Sequence, residues 1–236
     1  MADWRSFWDG EHVIYVSDRH KAVHYQAIAE GILAHVAAAG LGREAVVLDY
    51  ACGEALEAAR VAGAVGRLVL CDGAPSVMAR LRERFGHLAN VGFALPEDLD
   101  AEVADGSADL IVVSSLIQYL SQDDLAALLD RFRAKLKPAG RLVIADVIPP
   151  DAGMVADVAS LLRNALKHGY LPAALMGLVA TAVSPYRKLR AEIGLSTYSE
   201  ADMIELMARH GFTASRHRPN LGLTPHRMTV VGVPAV

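Results

Sequence analysis

The stretch "VVLDYACGEA", Val46 to Ala55, runs from an apolar segment through an aspartate into small residues around a single glycine. That pattern predicts a strand ending in a tight turn that opens a helix, the place beyond a strand's carboxyl end where open α/β sheets hold their ligands. Gly53 lets the backbone approach a ligand closely, and a helix beginning at Glu54 would turn free N–H groups and its positive dipole end toward a negative group. A second acid, Asp72, closes the next apolar run, "RLVLCD". It lies about 20 residues past the turn, the spacing from which a carboxylate takes both hydroxyls of a ribose. A nicotinamide dinucleotide would need glycines where its pyrophosphate and helix press on the backbone. Those places read Ala51, Gly53 and Leu56, and the Tyr-x-x-x-Lys pair of a reductase is absent. The turn suits a smaller ribose-bearing cofactor with a carboxylate in place of pyrophosphate.

Outward from this turn, strands and helices alternate. A first helix is expected from Ser17 to Gly40, capped by Ser17 or Asp18, with Tyr25, Ile28, Ile32 and Val36 on one face. "AVVLDY", "RLVLCD", "NVGFAL", "ADLIVVSS" and "GRLVIADV" read as five strands. "EALEAARVAG", "PSVMARLRERF" and "QDDLAALLDRFRAKL" read as the helices between them, the last behind a capping box from Ser121 to Asp124. Continuous apolar strands alternating with amphipathic helices predict a parallel sheet covered on both faces. After Pro149 and Pro150 the rhythm stops, and an apolar helical section without strand signal runs to Thr197. "SEADMIELMARHG" resumes as a helix with a capping box from Ser199 to Asp202. "FTASRHR" and "RMTVVGV" then form a closing hairpin.

Composition narrows the function classes. The 236 residues are 53% hydrophobic and 21% charged, with a net charge of −4. "YRKLR", Tyr186 to Arg190, is the densest basic run, so no electrostatic footprint for nucleic acid is present. The aromatic and acidic N-terminus, "MADWRSFWDGEH", does not read as a signal peptide. Cys52 and Cys71 lie inside expected core elements and suggest neither a disulfide framework nor zinc, which fits a reducing cytoplasm. The longest apolar stretch, Tyr170 to Tyr186, contains Pro172 and Gly177 and is expected as a buried or pocket-lining helix rather than a membrane span.

The motifs together resemble the class I S-adenosylmethionine-dependent methyltransferases. "VLDYACGEA" resembles that family's first motif, with Ala51 and Ala55 where glycine is usual. "LVLCDGAPSVM" resembles its second, with Asp72 as the ribose acid and Met78 as a hydrophobic wall for adenine. "DLIVVSSLIQYL" is similar to its fourth strand and following loop, "LKPAGRLVIADV" to its fifth strand, and "YSEADMIELMARHGF" to its late helix. The resemblance covers roughly residues 43 to 236 in order. It implies a Rossmann-like doubly wound α/β sheet, mostly parallel with a C-terminal antiparallel strand. Within one domain, residues 1–40 would form an N-terminal helical lid and 41–150 the cofactor-binding half. Residues 151–197 would be a helical insertion after the fifth strand, and 198–236 the final helix and hairpin.

The resemblance also implies S-adenosylmethionine as cofactor. Its binding set would be Asp49, Ala51, Cys52, Gly53, Asp72, Gly73, Met78, Leu95, Ser114 and Ser115, joined by Tyr15 and Arg19 from the lid at the methionine end. Gln118 and Tyr119, after the fourth strand, and His24 are the expected contacts to the methyl acceptor, with His12 and His20 as further candidate bases by location. His20 and His24 have metal-chelating spacing but no recognisable third ligand, so no metal is expected. The insertion's apolar residues, Leu175 and Met176 among them, would roof the site for a small, largely apolar acceptor, or else form a homodimer interface. A second reading keeps cofactor binding but not methyl transfer, as a regulatory or assembly protein.

Overall fold

The computed structural model describes residues 15–182 and 195–235. Helix α1, Asp18–Ala38, begins where the Ser17 side chain accepts the His20 N–H. It is followed by β1 (Val46–Tyr50), the short α2 (Ala58–Ala62), β2 (Arg67–Cys71), α3 (Pro75–Phe85), β3 (Val91–Ala94) and α4 (Leu99–Glu102). Next come β4 (Ala108–Ser114), α5 (Gln122–Lys135), β5 (Leu136–Val147), α6 (Met154–His168) and α7 (Leu171–Ala182). Helix α8 (Glu200–Arg209), β6 (Phe212–His217) and β7 (Met228–Pro234) complete the described elements.

The strands form one seven-stranded sheet in the order β3-β2-β1-β4-β5-β7-β6. β1 to β5 pair in parallel, and β7 lies antiparallel between β5 and β6. The order reverses at β1, between β2 and β4, which places the ligand crevice at the carboxyl end of β1. Residues 137–140, the expected Pro-Gly turn, fall where the β4–β5 register shifts between the Ala108–Leu136 and Leu110–Arg141 pairs.

Alternation along each strand divides the core in two. Val47, Leu68, Leu110 and Val143 face α1 and α3, where Ile28, Ile32, Leu81 and Phe85 meet them. Their chain neighbours Leu48, Val69, Ile111 and Ile144 face the other way, onto Leu129 and Phe132 of α5 and Met203 and Met207 of α8. Phe132 is fully buried, and truncating such a side chain to alanine costs about 3–5 kcal/mol. The capping box at Ser199 is complete, with Ser199 Oγ accepting from the Asp202 N–H and the Asp202 carboxylate accepting from the Ser199 N–H.

Two expectations need correction. "EALEAARVAG" yields only the short helix Ala58–Ala62, preceded by turns. Ala51, Gly53 and Ala55 all take positive φ (59°, 56° and 37°), and such backbone cannot continue a right-handed helix. The helical section does contain two helices, but it is not a buried rod. A small cluster of Ala165, Tyr170 and Ala174 packs with Val16, Leu161, Leu162 and Leu171, while Val155 is 83% exposed, Met176 70% and Leu175 51%. Among the described residues no helix is long and apolar enough to cross a membrane.

Candidate functional site

Beyond the carboxyl ends of β1, β2 and β4 lies a cavity of about 780 Å³. Its floor is the turn the sequence singles out: Asp49, Ala51, Cys52 and Gly53 line it, with Asp72 and Gly73 from the end of β2 and Ser114 and Ser115 from the end of β4. Tyr15, His24 and Tyr25 close it from α1 and the residues just before that helix, and Leu120, Leu128 and Arg131 form part of the α5 side.

Asp72 organises the turn. One carboxylate oxygen accepts the Gly53 N–H at 2.9 Å and the other accepts the Ala74 N–H at 3.0 Å. Burial raises this carboxyl above the ordinary range, and the bonds from Ala74 and Gly53 act against that rise. The next N–H, of Glu54, donates to the hydroxyl of Tyr25 at 2.9 Å. The N–H groups that the sequence offers as an anion cradle are therefore engaged within the protein. The Glu54 side chain is bound in turn by Lys21 of α1 at 2.8 Å, so α1 is fastened to the turn at two points. A Cβ at Gly53 would stand 2.5 Å from the Tyr25 hydroxyl oxygen. The φ of 56° at this position favours glycine, and this close approach excludes a Cβ.

Asp49 is buried beside this turn. Desolvation, with the neighbouring charge of Asp72, raises its carboxyl to about 7. Such a group is easier to ionise when a cation comes to rest against it. Burial lowers His24 to about 4, so its imidazole is neutral at physiological pH, and raises Tyr15 to about 12. Tyr15 packs against both His24 and Tyr25, with ring centroids 5.5 and 6.0 Å away.

Tyr119 and His24, expected at the acceptor, line the cavity. Others of the expected residues do not. Met78 is fully buried in the core behind α3, and its neighbour Val77 lines the cavity instead, because the helix turns Met78 toward Leu81 and the sheet. Leu95 packs onto the same core, leaving Pro96 and Glu97 at the wall. Arg19 points away and donates to the His168 carbonyl at 3.2 Å. Gln118 is buried with its amide donating to the Ser115 carbonyl at 2.8 Å, a brace for the loop rather than a wall of the cavity. No described residue of the insertion lines the cavity, so the roof expected from Leu175 and Met176 is not formed by them. His12 lies outside the described residues. His20 stacks on Tyr170 at 5.0 Å, and among the described residues no group of three or more His, Cys, Asp or Glu could hold a metal.

Tyr25 was legible only as a core residue of α1, since nothing in its spacing marks the turn it reaches. Arg131 and Leu128 sit on a helix whose amphipathic pattern reads as ordinary packing.

Comparison with known proteins places this architecture. Residues 47–140 match the family model described as a methyltransferase domain. Uncharacterized methyltransferases of Mycobacterium tuberculosis and Mycobacterium bovis are 25% identical over 146 residues, 62% of this chain. The chain spans 64% of the length of these curated relatives. Among solved structures, a complex of DhpI with S-adenosylhomocysteine (SAH) is similar over 98% of this chain and 95% of its own, at 16% identity and a TM-score of 0.60. The magnesium protoporphyrin IX methyltransferase of Synechocystis PCC 6803, with bound SAH, covers 97% of this chain and 90% of its own, at 15% identity and a TM-score of 0.58. Residues 47–140 are thus similar to a methyltransferase domain, and the strand order, with a cavity at the point where that order reverses, is the Rossmann-like fold shared with these structures.

Proposed function

We propose that the protein transfers a methyl group from S-adenosylmethionine to a small, largely apolar acceptor. The observation that carries this reading is the convergence of Asp49, Gly53 and Asp72, from the ends of two adjacent parallel strands, on one cavity. The residues fit the cofactor. Asp72 keeps lone pairs beyond those its backbone partners use and can accept from two ribose hydroxyls. A desolvated carboxyl at Asp49 matches an ammonium group, and Gly53 lines the cavity beside it. When bound, S-adenosylmethionine supplies a methyl group activated on a sulfonium sulfur.

The chain's own contribution to an in-line displacement is alignment and exclusion of water. Tyr15, His24 and Tyr25 close the site from α1, and Leu116, Tyr119, Leu120 and Leu128 give it an apolar flank for the acceptor. Neutral His24 is the group on the α1 side able to take a proton from an acceptor O–H or N–H. This α5-side flank, rather than the insertion, receives the apolar acceptor. The net charge of −4 argues against a nucleic-acid acceptor.

The test is incubation with methyl-labelled S-adenosylmethionine and a panel of small phenols, amines and thiols, followed by mass spectrometry. Label should appear in an apolar panel member and not in added RNA or DNA. Label only in nucleic acid, or cofactor binding without transfer to any acceptor in a cell extract, would overturn the reading.

A further inference from the structure

Ser115 and Asp146 stand at the carboxyl ends of neighbouring strands β4 and β5, and both hold left-handed backbone, with φ of 56° and 63°. Neither is glycine, so surrounding contacts must hold each in a disfavoured conformation. The two side chains meet, with Ser115 Oγ donating to Asp146 Oδ2 at 2.7 Å. The same oxygen accepts from Arg227 Nη1 at 2.6 Å, while Arg227 Nη2 reaches both Asp157 carboxylate oxygens on α6 at 3.3 and 3.4 Å. Asn220 Oδ1 accepts the Asp146 backbone N–H at 3.2 Å and the Thr229 hydroxyl at 2.8 Å. Residues from β5, β7, the loop before it and α6 thus converge on one buried carboxylate. That carboxylate is not a wall of the cavity, but Ser115 is.

An oxygen that accepts from both a guanidinium and a hydroxyl carries no proton of its own. The single hydrogen of Ser115 is therefore committed to Asp146, and what its oxygen retains is acceptor lone pairs. We infer that Asp146 is a positioning residue that holds Ser115 as an acceptor-only hydroxyl at the cavity wall, so that Ser115 selects ligands presenting an N–H or O–H donor. The inference rests on the proposed methyltransferase reading. The donor comes from one of two sources, the α-ammonium of the cofactor or an O–H or N–H group on the methyl acceptor. A site built to hydrogen-bond a donor rejects the analogue lacking it, because its acceptor is then left unpaired.

The experiment measures two affinity ratios by calorimetry on the full chain. The first compares SAH with its deamino analogue, in which hydrogen replaces the α-ammonium. The second compares 1-naphthol with 1-methoxynaphthalene on protein saturated with SAH. In the wild type, at least one ratio should exceed about tenfold. Ser115→Ala, checked for folding by circular dichroism, should lower the first ratio by about tenfold, leaving the part that Asp49 contributes at the ammonium, or bring the second close to one. A collapse of the first ratio assigns the donor to the cofactor, and a collapse of the second assigns it to the acceptor. Asp146→Asn should keep the ratio, because its amide oxygen still accepts from Ser115 and Arg227 and asparagine tolerates left-handed backbone. Ratios near one in the wild type, ratios unchanged in folded Ser115→Ala, or loss in Asp146→Asn as complete as in Ser115→Ala would each overturn the inference. A wild type that does not bind SAH at all would instead overturn the methyltransferase reading on which it rests.

Discussion

The carboxylate of Asp72 holds the backbone N–H of Gly53 at 2.9 Å, joining the end of β2 to the turn after β1. The residue proposed to bind a ribose is therefore also the one that shapes the loop beside it. Function and local structure cannot be separated at Asp72 by a single deletion. Asp72→Ala removes the acceptor of two backbone N–H groups, each such loss worth about 1–3 kcal/mol where the donor stays buried, while Asp72→Asn keeps one acceptor oxygen and limits that damage.

The Gly53–Tyr25 contact gives a prediction in the form of a double-mutant cycle. Gly53→Ala forces a Cβ toward the Tyr25 hydroxyl and places alanine at a φ of 56°, and should destabilise the protein by about 1–3 kcal/mol. Tyr25→Phe removes the clashing oxygen but leaves the Glu54 N–H without its acceptor. In the double variant the cost should be smaller than the sum of the two single costs. Denaturant melts that prove strictly additive would contradict the contact.

Asp49 predicts a pH dependence. Its carboxyl is raised to about 7 by burial and then by Asp72, and a cationic ligand group against it would favour the ionised form. SAH affinity should therefore weaken as pH falls below about 7, by up to about tenfold per unit, and level off above that. His24, lowered to about 4, and Tyr15, raised to about 12, do not change charge in that window. Asp49→Asn should bind weakly with a flattened profile.

The same shift carries a stability sign. In the ligand-free protein a raised carboxyl contributes stability that is present below its unfolded value near 4 and is lost as pH rises through about 7. Asp49→Asn should thus gain stability relative to the wild type on going from pH 5 to pH 8, read as thermal midpoints. A wild-type advantage that grows over that range would show that Asp49 is stabilised as an anion.

Charge placed on the outer face of α7 should leave the cofactor site alone. Leu175 and Met176 are exposed and neither lines the cavity, so Leu175→Glu with Met176→Lys should change SAH affinity less than about twofold, within the range usual for surface substitutions. A larger loss would mean that the insertion reaches the site after all. Sedimentation of the same variant measures whether that face joins two copies.

The sheet was readable because each strand is a short apolar run between turn signals, and Asp72 because it is an acid closing an apolar run about 20 residues past the glycine turn. The backbone conformation of the turn was not. Alanine gives no sign of positive φ, so Ala51 read only as a departure from glycine and Ala55 as part of a helix, and the helix expected from Glu54 shrank to Ala58–Ala62. Helical phase misled at Met78, where one residue's rotation separates core from cavity wall. Asp146 had a visible signal, an aspartate inside an apolar strand, but its partners Asn220 and Arg227 come from a loop with no periodicity to place them.

The most direct measurement is calorimetric titration of SAH into the wild type and into Asp72→Asn, with folding of both confirmed by circular dichroism. The account predicts saturable one-to-one binding to the wild type and affinity at least about tenfold lower in the variant, the loss expected when charge-assisted bonds to two hydroxyls become neutral ones. A folded wild type with no saturable binding, or an Asp72→Asn protein that binds as tightly as the wild type, would contradict it.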